Sequence, residues 1–308
     1  MRSYFILVLT VVIFGCSGKQ ASTADSDKTQ TVETSKAVVF PALPKQMTFA
    51  GQIVKLEDED IRERLDREVL MNAYYQSATT GYLKRANRYF PMIERILKEE
   101  GIPEDFKYLA VIESGLQQAV SPVGAQGFWQ FMPFTAKIYD LEMSDEVDER
   151  LHIEKSTRAA CKYLKEAKET LGDWVMTTAS YNRGVGGVQD DMAWQDTEHY
   201  FDTDQNSETG RYVFRLLAIK LIFENPEAYG YYPKEMELYE PFKTKKITVR
   251  ESIPNLAKWA IAQGFNIKIL RKLNPWLKTT RLTIRNGNSY IIELPAPGEN
   301  LKPYKHYF

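Results

Sequence analysis

The chain has 308 residues, of which 44% are hydrophobic and 26% charged, and its formal net charge is −1. This composition suits one large or two modest globular domains and excludes collagen-like, low-complexity and disulfide-stapled proteins. A near-zero charge also argues against a protein that binds nucleic acid through its whole surface. The average hides a gradient, because residues 231–308 carry a net charge of +8 and the remaining residues carry −9.

The first sixteen residues have the layout of a secretory signal. Arg2 precedes an apolar run over residues 4–14, which is shorter than a membrane-spanning helix needs. Its end reads IFGC and resembles the lipobox of bacterial lipoproteins, although a residue smaller than Phe14 is usual there. The resemblance implies diacylation of Cys16 and a lipid anchor in the membrane. The alternative is an ordinary cleaved signal with a coincidental cysteine.

Residues 17–48 are predicted to form a flexible tether. They are rich in Ser, Thr, Lys, Asp and Ala, with Phe40 as the single aromatic residue, and cannot bury enough apolar surface to fold alone. About 30 residues of such a chain span about 30 Å on average and reach about 100 Å when stretched. The tether would connect the lipid anchor to a folded part.

Helical patterns dominate from residue 58 to residue 223, which predicts an all-α domain. Pro91 and Pro103 are each expected near the start of a helix, where a missing backbone N–H is tolerated. Asp173 is expected to cap a helix over residues 174–181. Cys161 lies in a helical stretch and is predicted to be a small buried apolar side chain.

The pattern changes after residue 231. Strands are predicted at 246–249 and 290–294, and helices at 254–263, begun by Pro254, and at 267–273, giving the order βααβ. The predicted organisation is signal 1–16, tether 17–48, helical domain 49–230 with a core at 82–223, linker 231–245, small domain 246–296 and tail 297–308.

Glu113 is the strongest candidate for a catalytic residue. A helix places it on the same face as Phe106, Leu109 and Ala110, so a carboxylate falls on a stripe that should be buried. Burial raises a carboxyl pKa, and so does the helix C-terminus that Gly115 predicts. Such a group can serve as a general acid near neutral pH. The alternative is a helix-end glutamate that reaches solvent or a buried arginine.

Four sets of residues resemble, in order and spacing, the motifs of soluble-lytic-transglycosylase-type domains. They are ESG at 113–115, SPVGA with GFWQFMP at 121–133, SYNRG at 180–184 and ETGRYV at 208–213. The likeness covers residues 82–223 and is strongest to the membrane-bound lytic murein transglycosylase D group, which implies a mainly α, lysozyme-like fold. Two departures are Ser180 in place of the usual Ala, and Gly210 with Arg211 in place of the usual Glu-Thr-Arg-x-Tyr spacing.

The resemblance also implies an activity. Glu113 would protonate the glycosidic oxygen between N-acetylmuramic acid and N-acetylglucosamine in peptidoglycan. It would then take a proton from the muramyl C6 hydroxyl, which leaves a 1,6-anhydromuramyl end. The substrate N-acetyl group would replace the second carboxylate that ordinary glycosidases use. Tyr181 and Asn182 would orient Glu113 and bind sugar. The further positions that match the cleft lining are Ser121, Gln130, Met132 and Tyr212.

The βααβ unit resembles a LysM module, although residues 250–252 read RES where a Gly-Asp-Ser/Thr turn is usual. The resemblance implies binding to peptidoglycan. The basic excess of this part of the chain suits anionic cell-wall peptides and muramyl carboxylates. The alternative is a small docked domain without a ligand.

These observations predict a periplasmic enzyme that acts on peptidoglycan glycan strands and is lipid-anchored at Cys16, with the outer membrane as the expected location. No metal or organic cofactor is expected, because His152, His199 and His306 are scattered and no cysteine pair is present. No nucleic-acid partner is expected either. Two alternatives stay open: a muramidase that hydrolyses the same bond, and a non-catalytic scaffold that binds the wall.

Overall fold

The computed structural model describes residues 42–285, 287–299 and 301. The predicted signal, the Cys16 anchor, the tether up to residue 41 and most of the tail lie outside the described residues. Within the described part, no helix combines the length and apolar character needed to span a membrane.

The described chain begins with a hairpin, continues through eight helices and ends in a small unit of two strands and two helices. The elements are β1 Gln46–Phe49, β2 Gln52–Lys55, α1 Glu59–Tyr74, α2 Gln76–Glu99, α3 Lys107–Ser114, α4 Pro133–Ile138, α5 Ile153–Leu171, α6 Trp174–Arg183, α7 Val185–Gln195, α8 Thr209–Glu224, β3 Thr244–Val249, α9 Leu256–Ala262, α10 Ile267–Leu273 and β4 Tyr290–Pro295. The predicted mainly α fold with a C-terminal βααβ unit is confirmed.

Helix α8 lies at the centre of the helical part. Its middle is apolar on nearly every face, and it packs against α1, α3 and α6. Even Lys220 is buried, because its ammonium group is held by Asp105 and Glu224, each at 2.6 Å. A helix enclosed in this way is rigid, so it fixes the side chains that its N-terminal half directs towards α3.

The first hairpin corrects the predicted end of the tether. Residues 46–48, which the sequence predicts to be part of the tether, belong to β1, which pairs with β2 in an antiparallel register. Leu43, Met47 and Phe49 are buried in the helical core, and the Phe49 ring lies 5.6 Å from that of Phe106. The prediction was wrong because a four-residue strand shows too few alternations to be distinguished from a polar linker.

Pro91 corrects a second prediction. It does not open a helix but lies inside α2, which runs unbroken over Gln76–Glu99. The buried stripe that includes Leu83, Phe90 and Ile93 continues through this point, while Pro91 itself is exposed. Packing of that stripe therefore outweighs the lost backbone hydrogen bond, which costs about 3 kcal/mol.

Two predictions within the helical part are confirmed. Asp173 caps α6, since its carboxylate accepts a hydrogen bond from the Met176 N–H at 2.8 Å. Cys161 is fully buried, and burial raises the pKa of its thiol to about 12, which keeps it protonated and unreactive.

The C-terminal unit has a small core of its own and docks on the helical part. Strands β3 and β4 are antiparallel, and α9 begins at Leu256 rather than at Pro254, because the Asn255 side chain caps the helix. Val147 of the helical part belongs to the small core. Backbone hydrogen bonds also cross the junction, including Asp148 N–H to the Trp276 carbonyl at 3.0 Å. The two parts are therefore joined by a packed interface.

Candidate active site

Glu113 lies in the last turn of α3, as the sequence predicts. Gly115 ends the helix with a φ of 59°, a left-handed conformation that favours glycine, and a Cβ at this position would lie 2.6 Å from the Tyr82 ring. Phe106 and Leu109, on the same face, are fully buried, while Glu113 is partly exposed. The helix thus holds a carboxyl group at the edge of the core, where a substrate can reach it.

Helix α8 supplies two partners for this carboxyl group. The Tyr212 hydroxyl, which is buried, donates a hydrogen bond to Glu113 Oε1. Arg215, one turn further along α8, donates to the Ile112 carbonyl at 2.7 Å and brings its positive charge close to Glu113. The Tyr212 hydrogen bond fixes the position of the carboxyl group, and both this bond and the Arg215 charge favour its ionised form.

Burial nevertheless dominates and raises the pKa of Glu113 to about 7. The Tyr212 hydrogen bond and the Arg215 charge lower this pKa, and the charge of Glu208 raises it. A carboxyl group with this pKa is present in both protonation states at neutral pH. It can therefore donate a proton in one step and accept one in the next.

Tyr181 connects α6 to the loop between α3 and α4. Its hydroxyl donates to the Trp129 carbonyl at 2.9 Å, and its ring packs edge-on against Tyr163. Burial, and after it the nearby charge of Glu113, raises the pKa of Tyr181, so the two side chains lie in the same neighbourhood. Tyr181 thus shapes the site without bonding to Glu113.

Asn182 contacts the start of α8 rather than Glu113. Its Oδ1 accepts a hydrogen bond from the Thr209 hydroxyl at 2.9 Å, and its Nδ2 donates to Glu208 Oε1 at 3.1 Å. The sequence interpretation in which Asn182 orients Glu113 therefore lacks a direct contact. The side chain instead ties together the ends of α6 and α8 that border the site.

The loop over residues 115–132 contains the other three predicted cleft residues. Ser121 Oγ accepts from the Ala125 N–H at 2.9 Å, and the Gln130 amide donates to the carbonyls of Gly127 and Ala119. These two side chains hold the loop in shape. Met132 is 40% exposed and presents an apolar surface to solvent.

A buried ion pair supports the same loop. The side chains of Asp148 and Arg150 form two hydrogen bonds, at 2.7 and 2.9 Å, and Arg150 Nη1 donates to the carbonyls of Gly124 and Phe131. Sequence reasoning gave no role to this pair or to Arg215. Two sequence features could have indicated these residues: the acid-acid-arginine triplet at 148–150, and the position of Arg215 one helical turn after Tyr212.

Replacement of Tyr212 by Phe tests the electrostatic account of Glu113. Because the hydroxyl stabilises the carboxylate, its loss should raise the pKa of Glu113 and move the alkaline limb of the pH–rate profile upwards by about one unit. The measurement is kcat/KM on peptidoglycan between pH 5 and pH 9. A limb that stays in place or moves to lower pH would contradict this account; Tyr163→Phe is the control.

The described residues contain no group of His, Cys, Asp and Glu side chains arranged to hold a metal ion.

Two family descriptions match the chain. The Transglycosylase SLT domain matches residues 90–203, which include Glu113, and the Soluble lytic transglycosylase C-terminal LysM-like domain matches residues 245–298. The protein is thus an enzyme of the lytic transglycosylase class, with an SLT domain followed by a LysM-like domain.

The chain is also similar to individual proteins. The chain is 24% identical over 316 residues to membrane-bound lytic murein transglycosylase D of two Escherichia coli strains, covering 95% of this chain and 68% of the relative. It is also 31% identical over 106 residues to a putative tributyltin chloride resistance protein of Alteromonas, covering 34% of this chain and 51% of the relative. An inactive mutant of lytic transglycosylase Slt from Pseudomonas aeruginosa matches with a TM-score of 0.38 and 24% identity, over 45% of this chain and 24% of that chain.

Proposed function

We propose that this protein cleaves the β-1,4 bond between N-acetylmuramic acid and N-acetylglucosamine in peptidoglycan and leaves 1,6-anhydromuramyl ends. Glu113 is the single general acid and base in this proposal. The observation that supports it is a partly exposed glutamate at the end of α3 whose pKa is raised to about 7 and whose carboxylate is held by Tyr212. The murein named for the Escherichia coli relative gives the substrate class.

The proposed reaction has two proton transfers. Protonated Glu113 donates its proton to the glycosidic oxygen as the bond from that oxygen to muramyl C1 breaks, and the substrate N-acetyl group stabilises the positive charge at C1. The resulting carboxylate then accepts the proton of the muramyl C6 hydroxyl as that oxygen bonds to C1. Glu113 ends protonated, as it began, and no water is consumed. No cofactor enters either step.

The surroundings of Glu113 suit this single-carboxyl mechanism. Besides burial, the charge of Glu208 is the carboxylate charge in the described part of the chain that raises the pKa of Glu113, but Glu208 is exposed and accepts a hydrogen bond from Asn182. A hydrolytic muramidase would need such a group as nucleophile or as the base that activates water. Glu208 is therefore the residue on which the alternative, hydrolysis of the same bond, depends.

Product analysis separates these functions. Purified peptidoglycan is incubated with the protein, and the released muropeptides are identified by mass spectrometry. Anhydromuramyl ends support the proposal, whereas reducing muramyl ends would indicate a muramidase and overturn it. Binding without release would indicate a scaffold. Glu208→Gln should keep the anhydro product if Glu113 acts alone.

We also propose that Cys16 carries a lipid that retains the enzyme at the outer membrane on its periplasmic side, with the tether spacing it from the wall. Cys16→Ala should move the protein from the membrane fraction to the soluble periplasmic fraction, because the anchor is lost. The measurement is immunoblotting of separated fractions, with Cys161→Ala as the control. Retention of the Cys16→Ala variant in the membrane fraction would contradict lipidation.

A further inference from the structure

A cleft of about 440 Å³ lies between the helical part and the LysM-like unit. Its walls come from α2, from the start of α5, from the segment before β3 and from the end of α10; they include Arg88, Met92, Gln118, Phe242, Lys272 and Trp276. None of Glu113, Tyr181 and Tyr212 lines it. The cleft is therefore a second concave site, separate from the proposed catalytic residues.

The cleft carries positive charge that the protein does not neutralise. Lys246, on one wall, is paired with Glu154 at 2.8 Å and lies 3.9 Å from Glu293. Arg88 and Lys272, by contrast, form no ion pair with a carboxylate in the described part of the chain. Both lie over the ring of Phe242, with Arg88 at 4.0 Å and Lys272 at 5.5 Å from its centroid. Two cations are thus held at a fixed aromatic ring and remain available to an anion.

The cleft also contains an unused hydrogen-bond acceptor. Gln118 donates through its side-chain nitrogen to the Leu151 carbonyl at 2.9 Å, while its Oε1 is buried and has no partner among the described residues. A buried acceptor without a donor is unfavourable, so an N–H group from a ligand would be stabilising there. The partly exposed Phe242 ring supplies apolar surface to the cleft, while Trp276 is buried beneath it and stacked on His152.

We propose that this cleft binds an acidic peptide, the stem peptide that peptidoglycan carries on its muramyl residues. Arg88 and Lys272 bind the peptide carboxylates, Gln118 Oε1 accepts a backbone N–H, and Phe242 contacts the aliphatic parts. Charge complementarity favours the peptide over the bare glycan chain, which offers no carboxylates beyond the lactyl groups. The identity of the peptide rests on the proposed action on peptidoglycan; the site itself rests on the cleft.

Isothermal titration calorimetry of the full chain with a free stem tetrapeptide tests the proposal. The double variant Arg88→Gln with Lys272→Gln should bind at least about 10-fold more weakly, since two charge contacts are lost. Lys268→Gln is the matched control: it removes a lysine one turn earlier on α10, exposed and outside the cleft, and should leave binding unchanged. The same peptide with amidated carboxyl groups should also bind weakly.

Three outcomes would overturn the proposal: equal binding by the double variant, equal binding of the amidated peptide, or binding of peptide-free glycan that displaces the stem peptide. Lys272→Gln alone serves as the second variant if the double variant has a lowered melting temperature. Anhydromuramyl product formation is measured in parallel. If the wild-type protein binds the peptide but forms no anhydromuramyl product, the proposed function is contradicted and the cleft assignment stands. If it forms the product but does not bind the peptide, only the cleft assignment is contradicted.

Discussion

Replacement of Glu113 by Gln is expected to reduce the release of anhydromuramyl products by about 10²–10⁴-fold, because the amide can neither donate nor accept the transferred proton. Gln keeps the size of Glu and an oxygen that can accept the Tyr212 hydrogen bond, so the site should keep its shape. The measurement is product release from purified peptidoglycan by mass spectrometry. Glu169→Gln, which changes an exposed carboxyl group on α5, is the control and should leave release unchanged.

The same variant has a pH-dependent effect on stability. The pKa of Glu113 is raised to about 7 in the folded protein. Between the ordinary glutamate pKa and 7, the unfolded chain has released this proton but the folded protein still holds it. The wild type therefore loses stability as the pH rises through this range. Glu113→Gln should therefore have a higher melting temperature than the wild type at pH 8 but not at pH 4. Full activity in this variant, or a lower melting temperature at pH 8, would contradict the account of Glu113.

Replacement of Gly127 by Ala is expected to have the largest effect on stability. Gly127 has a φ of +84°, and a Cβ there would lie 2.1 Å from the Arg150 carbonyl oxygen, a backbone atom that cannot move aside easily. The strain and the collision together should lower the free energy of unfolding by at least about 3 kcal/mol. The measurement is urea denaturation followed by circular dichroism.

Gly124 provides the matched control in the same loop. It has a φ of +90°, but a Cβ there would meet no atom within 4 Å. Gly124→Ala therefore reports the backbone strain alone, which is about 1–2 kcal/mol. If the two alanine variants prove equally stable, the close approach of the loop to Arg150 is not what requires glycine at position 127.

Local patterns were sufficient for much of the fold. The stripes of apolar residues predicted the helices, and α10 has the predicted bounds Ile267–Leu273. Errors arose where tertiary packing overrides a local signal. Pro91 usually marks a helix start, yet buried side chains on both sides of it hold α2 together. The β1 strand is recognisable only through the core that buries Met47 and Phe49.

The residues of the site also fall into two groups, those that a local pattern predicts and those that only tertiary contacts identify. Glu113 could be predicted from its own helix, because a carboxylate on an apolar stripe before a glycine is a local pattern. Tyr212 was predicted through resemblance alone, since 99 residues separate it from the glutamate that it contacts. No role was predicted for Arg215 or Arg150. Their roles depend on hydrogen bonds to backbone carbonyls of other segments, and the sequence around each arginine does not identify those carbonyls.

The Asp148 contacts have a consequence for how the chain can be divided. The Asp148 backbone N–H bonds to the carbonyl of Trp276 in the LysM-like unit, while its carboxylate holds Arg150, and Arg150 holds the loop carbonyls of Gly124 and Phe131. A continuous set of hydrogen bonds therefore runs from the LysM-like unit to the loop beside Glu113. The smallest fully active fragment of this protein should be larger than its catalytic domain, and exchanging the LysM-like unit for a wall-binding module of another protein would require rebuilding this contact.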